Sequence, residues 1–211
     1  MLNKLIANVL PFMPKKLVWF FSKRYIAGET IDDGILASKL LNHKQIEVTI
    51  DLLGEFIQNL SEAEANRNHY FEIIDRFTTE GINGNFSLKP TMFGLLIDKD
   101  ICYNYIRDIV SRAAQKNSFV RIDMEDSQCV DLEIELFKKL RDEFPHNVGL
   151  VFQAYLRRTL TDLESISDLN SEENPLNFRL CKGIYVEPES IAFKNYDEVR
   201  EHLLEDLEFM F

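Results

Sequence analysis

Residues 119–140 read FVRIDMEDSQCVDLEIELFKKL, and the fold follows from the change of period inside that stretch. Phe119–Met124 is a short apolar and β-branched run that closes on Asp123, the pattern of a buried strand with a charged end. Beyond the polar turn, Val130, Ile134 and Phe137 recur three or four residues apart, which is one stripe of an amphipathic helix. A strand that runs straight into a helix is half of a parallel crossover unit.

Outward from there the unit repeats. Strand-like runs occur at Glu47–Leu53, Ile82–Leu88, Val148–Tyr155 and Asn177–Cys181. Helical stripes lie between or after them: Tyr70, Ile73, Ile74 and Phe77; Ile106, Ile109, Val110 and Ala113; and finally Val199, Leu203, Leu207 and Met210. Strand, helix, strand, helix implies parallel pairing with right-handed crossovers, hence an α/β fold. The runs end on Asp51, Lys89, Asp123, Gln153 and Lys182, so successive ends are 38, 34, 30 and 29 residues apart. Parallel sheets place function at those carboxyl ends, and a barrel gathers them into one mouth. A doubly wound sheet usually carries a glycine-rich phosphate turn after its first strand, and DLLGEF (51–56) has one glycine. The expected fold is therefore a TIM-like (βα)8 barrel. A helical segment at 1–45 precedes a partial barrel at 46–211. Eight units need about 250 residues, and five are legible here, so the expectation is a piece of a longer protein.

Composition narrows the function. The 211 residues are 45% hydrophobic with 16 Phe, which is enough to build a core and excludes a disordered chain. With 24 Lys+Arg against 35 Asp+Glu the formal net charge is −11, so nucleic acid is not an expected partner. The three cysteines, Cys102, Cys129 and Cys181, are too scattered for a disulfide framework or a zinc site, which fits a reducing, cytoplasmic setting. Residues 1–23 are apolar but cut by Pro11, Pro14 and the Lys15-Lys16 pair, short of the ~20 residues that span a bilayer. They read first as an amphipathic entry helix packed on the domain. The second reading is peripheral contact with the inner face of a membrane through Trp19, Phe20 and Phe21.

Chemistry concentrates at the strand ends. Asp123 closes its strand with Glu125 and Asp126 close behind; an acid there can orient a cationic group, while Asp126-Ser127 suits a helix cap. Lys89 ends a buried strand in an ammonium, which is expensive unless it has a partner. Arg179 and Lys182 add cations at the fifth strand, beside Gly183, whose missing side chain permits close approach to a ligand. Together Lys89, Arg179 and Lys182 predict a positive pocket for an anionic cofactor or a carboxylate. Gln153 offers an amide to a heterocycle edge. Arg157-Arg158 reads as a solvated helix start, and the four histidines show no metal spacing.

The motifs DLLGE (51–55), NFSLKPTMFGL (85–95), VRIDMEDS (120–127), VGLVFQAYLRRT (148–159) and FRLCKGIYVEP (178–188), with RYIAGE (24–29) at the entry, resemble in order and spacing the flavin-dependent proline dehydrogenases, especially the small monofunctional bacterial kind. The resemblance implies a distorted (βα)8 barrel with FAD at its mouth. It also implies oxidation of L-proline to Δ1-pyrroline-5-carboxylate, with electrons passed to a quinone. Carried over residue by residue, it assigns Lys89 to the proline carboxylate, Tyr185 to a place against the substrate, and Asp123 to the active-site acid. Arg179 would lie near the reactive nitrogen of the flavin. Met124, Gln153, Lys182, Gly183 and Ile184 would line the cofactor, and Asp51 and Glu55 would belong to a gating loop. Pro90 stands where the family usually has a bulkier aliphatic residue, and Ile184 where it has alanine. The family's histidine-containing flavin motif and substrate-gripping arginine pair belong to later strands. The 211 residues alone are therefore expected to show little or no proline oxidation. Two other readings stand beside this one: a truncated, non-catalytic remnant of the family, and a barrel lyase forming a Schiff base on Lys182 with Asp123 as acid–base partner.

Overall fold

The structure, a computed structural model, describes residues 13–14 and 26–211. The expectations for the entry helix, and for its membrane contact through Trp19, Phe20 and Phe21, lie outside the described residues. Among the described residues no helix is long and apolar enough to cross a membrane.

Helix α1 (Ile31–Asn42) opens at Thr30, whose hydroxyl accepts the Asp33 amide while the Asp33 carboxylate accepts the Thr30 amide. That reciprocal pair satisfies two of the free donors of a helix start. Strand β1 (Val48–Asp51), helix α2 (Leu60–Thr79), strand β2 (Gly84–Leu88) and a 3-10 turn (Pro90–Phe93) follow. Helix α3 (Lys99–Ala114) starts at Asp98, which caps the amides of Asp100 and Ile101. Then come β3 (Val120–Ile122), α4 (Val130–Glu143), β4 (Val148–Gln153), the short α5 (Thr159–Glu164), β5 (Phe178–Cys181) and α6 (Tyr196–Met210).

The five strands are all parallel and pair in the order β1-β2-β3-β4-β5. An unbroken order with right-handed crossovers keeps the helices on one wall, so the sheet curls as half of a barrel. The order never reverses, so no doubly wound switch point exists in this sheet.

Alternation sorts the two faces. Phe86, Leu88, Val120, Ile122, Leu150 and Phe152 are buried toward the helices, where Tyr70, Ile74 and Phe77 of α2, Ile106, Ile109 and Val110 of α3, and Val130, Phe137 and Leu140 of α4 meet them. Phe77 packs edge-on to Phe86 at 6.4 Å between centroids, and Phe178 lies 5.1 Å from Phe152 and 6.2 Å from Phe137. Each such side chain contributes roughly 1.5–3 kcal/mol on burial. The opposite face carries Ser87 and Arg121, which are register partners, and Arg179 on β5, level with Val151 of β4. β4 and β5 pair closely because Gly149 has no side chain: a Cβ there would stand 2.5 Å from the Asn177 carbonyl oxygen.

Two expectations need correction. The helix over Val199–Met210 exists, but its apolar stripe is only half covered; the one buried residue on α6 is Asp206, because α6 packs on α5 and lightly on β5. Asp126 is not the cap of α4. The N-cap is Cys129, with no side-chain cap, because the turn formed by Ser127 and Gln128 places Asp126 too far upstream. The β4-to-β5 crossover contains the six-residue α5, which opens at Arg158 where the sequence offered a helix start but is too short to show a periodic stripe.

Candidate active site

Four strands deliver alternating charges to their carboxyl ends. Asp51 ends β1 and pairs in register with Ser87 of β2; Lys89 and Asp123 stand one position beyond β2 and β3; Arg179 lies on β5. The Lys89 ammonium donates to Asp51 Oδ2 at 2.9 Å and lies 3.7 Å from Asp123 Oδ2. Arg179 donates to Asp123 Oδ1 and, at 3.3 Å, to the Ser87 hydroxyl, which itself donates to Asp123 Oδ1. Asp123 thus stands between two cations, with its side chain 15% exposed. Burial works against a charged Lys89, but the Asp51 hydrogen bond and the negative charges of Asp51 and Asp123 outweigh it and hold the ammonium above its ordinary range. Burial also raises Asp51, although Lys89 pulls the other way.

Below this row Tyr70 of α2, fully buried, locks two strands. Its hydroxyl donates to the Ser87 carbonyl at 2.8 Å and accepts the Leu52 amide at 3.3 Å. Across the mouth the Tyr185 hydroxyl donates to Glu55 at 3.2 Å, joining the segment after β5 to the loop after β1. Burial, then the charges of Glu125 and Glu55, push the Tyr185 phenol up, so it remains a proton donor. Behind Asp123, the Ser127 amide and hydroxyl both donate to the Glu187 carboxylate, at 2.7 and 2.9 Å, which ties the β3 loop to the segment after β5.

Lys89, Asp123, Arg179 and Asp51 come together, and Tyr185 and Glu55 form a second pair. Lys182 is elsewhere: its ammonium lies over the Tyr196 ring, 4.4 Å from the centroid, and 3.3 Å from its hydroxyl. The expected positive pocket of Lys89, Arg179 and Lys182 is therefore not what forms. Two of its cations are matched by carboxylates and the third sits against an aromatic ring. Met124 is buried, and the Gln153 amide donates inward to the carbonyls of Met124 and Glu125 at 3.3 and 2.7 Å. Gly183 has φ +100°, and a Cβ there would meet the Tyr155 ring at 2.0 Å, so only glycine suits both the backbone and the space. Ile184 is 85% exposed at the rim. Arg158 does start a helix, bound to Asp162 and Asp131, while Arg157 stacks on Phe193 at 4.1 Å.

Sequence reading missed the roles of Ser87, Tyr70, Thr91 and Glu125. Glu125 is fully buried and receives the Thr91 amide at 2.8 Å and the Thr91 hydroxyl; burial lifts its pKa to about 7 against the pull of both bonds. The sequence shows a hydroxyl inside NFSLK and two carboxylates close after Asp123, but which of these side chains the fold buries is set by strand register and packing.

The proline dehydrogenase family model matches residues 36–198. This chain belongs to that family. It is 31% identical to the proline dehydrogenase of Deinococcus radiodurans over 194 residues, covering 90% of this chain and 61% of the relative. It is 34% identical to proline dehydrogenase 2 of Bacillus subtilis over 179 residues, covering 85% of this chain and 57% of the relative. The chain thus spans about three-fifths of these family members. In fold it is similar to proline utilization A of Bdellovibrio bacteriovorus inactivated by N-propargylglycine, with a TM-score of 0.84 and 24% identity, over 98% of this chain and 25% of that one. That likeness places the five strands in the half-barrel of a proline dehydrogenase fold.

Proposed function

We propose that this site binds L-proline beside FAD and oxidises it to Δ1-pyrroline-5-carboxylate, with a quinone as final electron acceptor. The observation that carries the reading is the Asp51–Lys89–Asp123–Arg179 chain at the strand ends of a proline dehydrogenase family member.

The residues present suit a flat, anionic cofactor. Arg179 keeps its guanidinium 39% exposed at the mouth even while paired, and Leu53, Ile184 and Val186 offer exposed apolar surface in the segments after β1 and β5. Lys182, Gly183, Ile184, Met124 and Gln153 are the residues assigned to hold it. When bound, a flavin supplies the two-electron acceptor that no side chain provides.

The chain's own residues bind and orient. Lys89 takes the proline carboxylate, a fixed cation whose task is orientation. Arg179, held by Asp123 and Ser87, presents positive charge where negative charge develops, and needs no reorganisation to do so. Asp123 is the acid that fixes both cations. Tyr185 lies against the substrate ring, and its bond to Glu55 is the contact that the gating loop makes across the mouth. Lys182, hydrogen-bonded to Tyr196 rather than to Asp123, gives the Schiff-base reading no support.

The test is anaerobic addition of L-proline to the protein expressed from its own gene and loaded with FAD. The expected outcome is loss of the oxidised flavin band, reversed by a soluble quinone. Protein that holds flavin yet keeps its spectrum in excess proline overturns the reading.

A further inference from the structure

Thr91, on the 3-10 turn just after Lys89, makes more polar contacts than a turn requires. Its amide donates to Glu125 Oε1 at 2.8 Å and its hydroxyl donates to Glu125 Oε2. The same hydroxyl oxygen accepts the Phe56 amide at 2.8 Å, and the Thr91 carbonyl accepts the Ile57 amide at 3.4 Å. A hydroxyl has one proton. Because Phe56 brings its own proton to the oxygen, that of Thr91 is free for the carboxylate. The chain therefore runs one way, from the Phe56 amide through Thr91 to Glu125.

Glu125 cannot drift. Its amide donates to Glu133 Oε1 on α4 at 3.0 Å, and its carbonyl accepts the Gln153 side chain of β4 at 2.7 Å. Both Thr91 and Glu125 are buried, so water does not compete for these bonds.

What the chain anchors is strained. Phe56 has φ +50°, a left-handed conformation that an L-residue with a side chain adopts only at an energetic cost. Such a residue persists only where its surroundings hold it there. It immediately follows Glu55, the residue that reaches Tyr185 across the mouth, so the turn at Phe56 determines where Glu55 sits.

We propose that Glu125, acting through Thr91, is a positioning residue that holds the loop of residues 52–58 in its strained form, with Glu55 across the site mouth. Its effect on proline binding rests on the function proposed above; its effect on the loop does not.

The experiment uses Thr91→Val, which removes the hydroxyl and keeps the shape, with Thr91→Ser as the rescue. Amide hydrogen exchange of residues 52–58, measured without substrate, should accelerate about tenfold or more in Thr91→Val while exchange across β3 stays unchanged. Thr91→Ser should return it toward the parent. In turnover, Thr91→Val should raise the proline KM about fivefold or more with kcat within about twofold, a split that loss of folded protein does not produce. If Thr91→Val does not fold, Glu125→Gln is read in the same way, because an amide cannot accept both Thr91 donors. Loop exchange unchanged in whichever variant is read, or not restored by serine, overturns the proposal. If the parent itself fails to oxidise proline, the exchange result still decides the loop, and only the proposed function falls.

Discussion

Lys89 shows what one strand-end side chain does here. It is the bridge between Asp51 and Asp123, and its side chain is 18% exposed, so its charge is largely held by those two partners. Lys89→Met should raise the proline KM about tenfold or more with a smaller loss of kcat, because orientation is lost while the redox centre stays. Initial rates over a range of proline concentrations check this; an unchanged KM would remove Lys89 from the substrate. Lys89 and Asp123 were legible because each breaks an apolar run at the point where strands deliver function. Ser87 was not, since a serine inside NFSLK reads as filler until strand register places it beside Asp123. Glu125 stayed hidden for a related reason: spacing shows three carboxylates after β3 but not which of them the fold will bury.

At the scale of elements, α6 is the unusual helix. Its one buried residue is Asp206, 1% exposed, with Oδ2 lacking a hydrogen-bond partner among the described residues. Burial pushes its pKa up to about 6 from an ordinary 3.8, against the help of His202. A carboxyl raised on folding binds its proton more tightly in the native state, so the contribution of Asp206 to stability is fully present below pH 4 and is lost as pH climbs through 6. Asp206→Asn should flatten that fall and stabilise the protein at pH 7 by about 1–3 kcal/mol. Urea midpoints at pH 4, 5, 6 and 7 give the comparison; equal pH slopes in the two proteins would count against it. The α6 stripe was legible in the sequence, but the coverage of that stripe was not. Periodicity reports which residues share a face and is silent about what packs on it. For α5 only the start at Arg158 was legible, since six residues make fewer than two turns and leave no stripe.

Over the whole molecule, strand number, order and direction were all readable, because a parallel α/β chain repeats one unit and the unit leaves a period change each time. The curl was inferred from the absence of a phosphate turn, and the unbroken strand order accounts for it. One hydrophobic cluster joins residues of α1 through α5 and β2 through β4, with β1, β5 and α6 packed against it. Unfolding by urea should therefore be a single transition, with the far-ultraviolet signal of helices and the near-ultraviolet signal of tyrosines coinciding. Two separated midpoints would show that the half-barrel divides.

The row of strand-end charges has one more consequence. Asp51, Lys89, Asp123 and Arg179 are two anions and two cations in direct contact, so this row is itself neutral although the chain carries −11. A carboxylate that arrives at Lys89 finds no idle cation; it must displace Asp51 or share its proton donors. Recognition at such a site is an exchange of partners, with little long-range attraction to speed it and little for added salt to weaken. Selectivity then comes from how well the newcomer replaces the aspartate it dislodges.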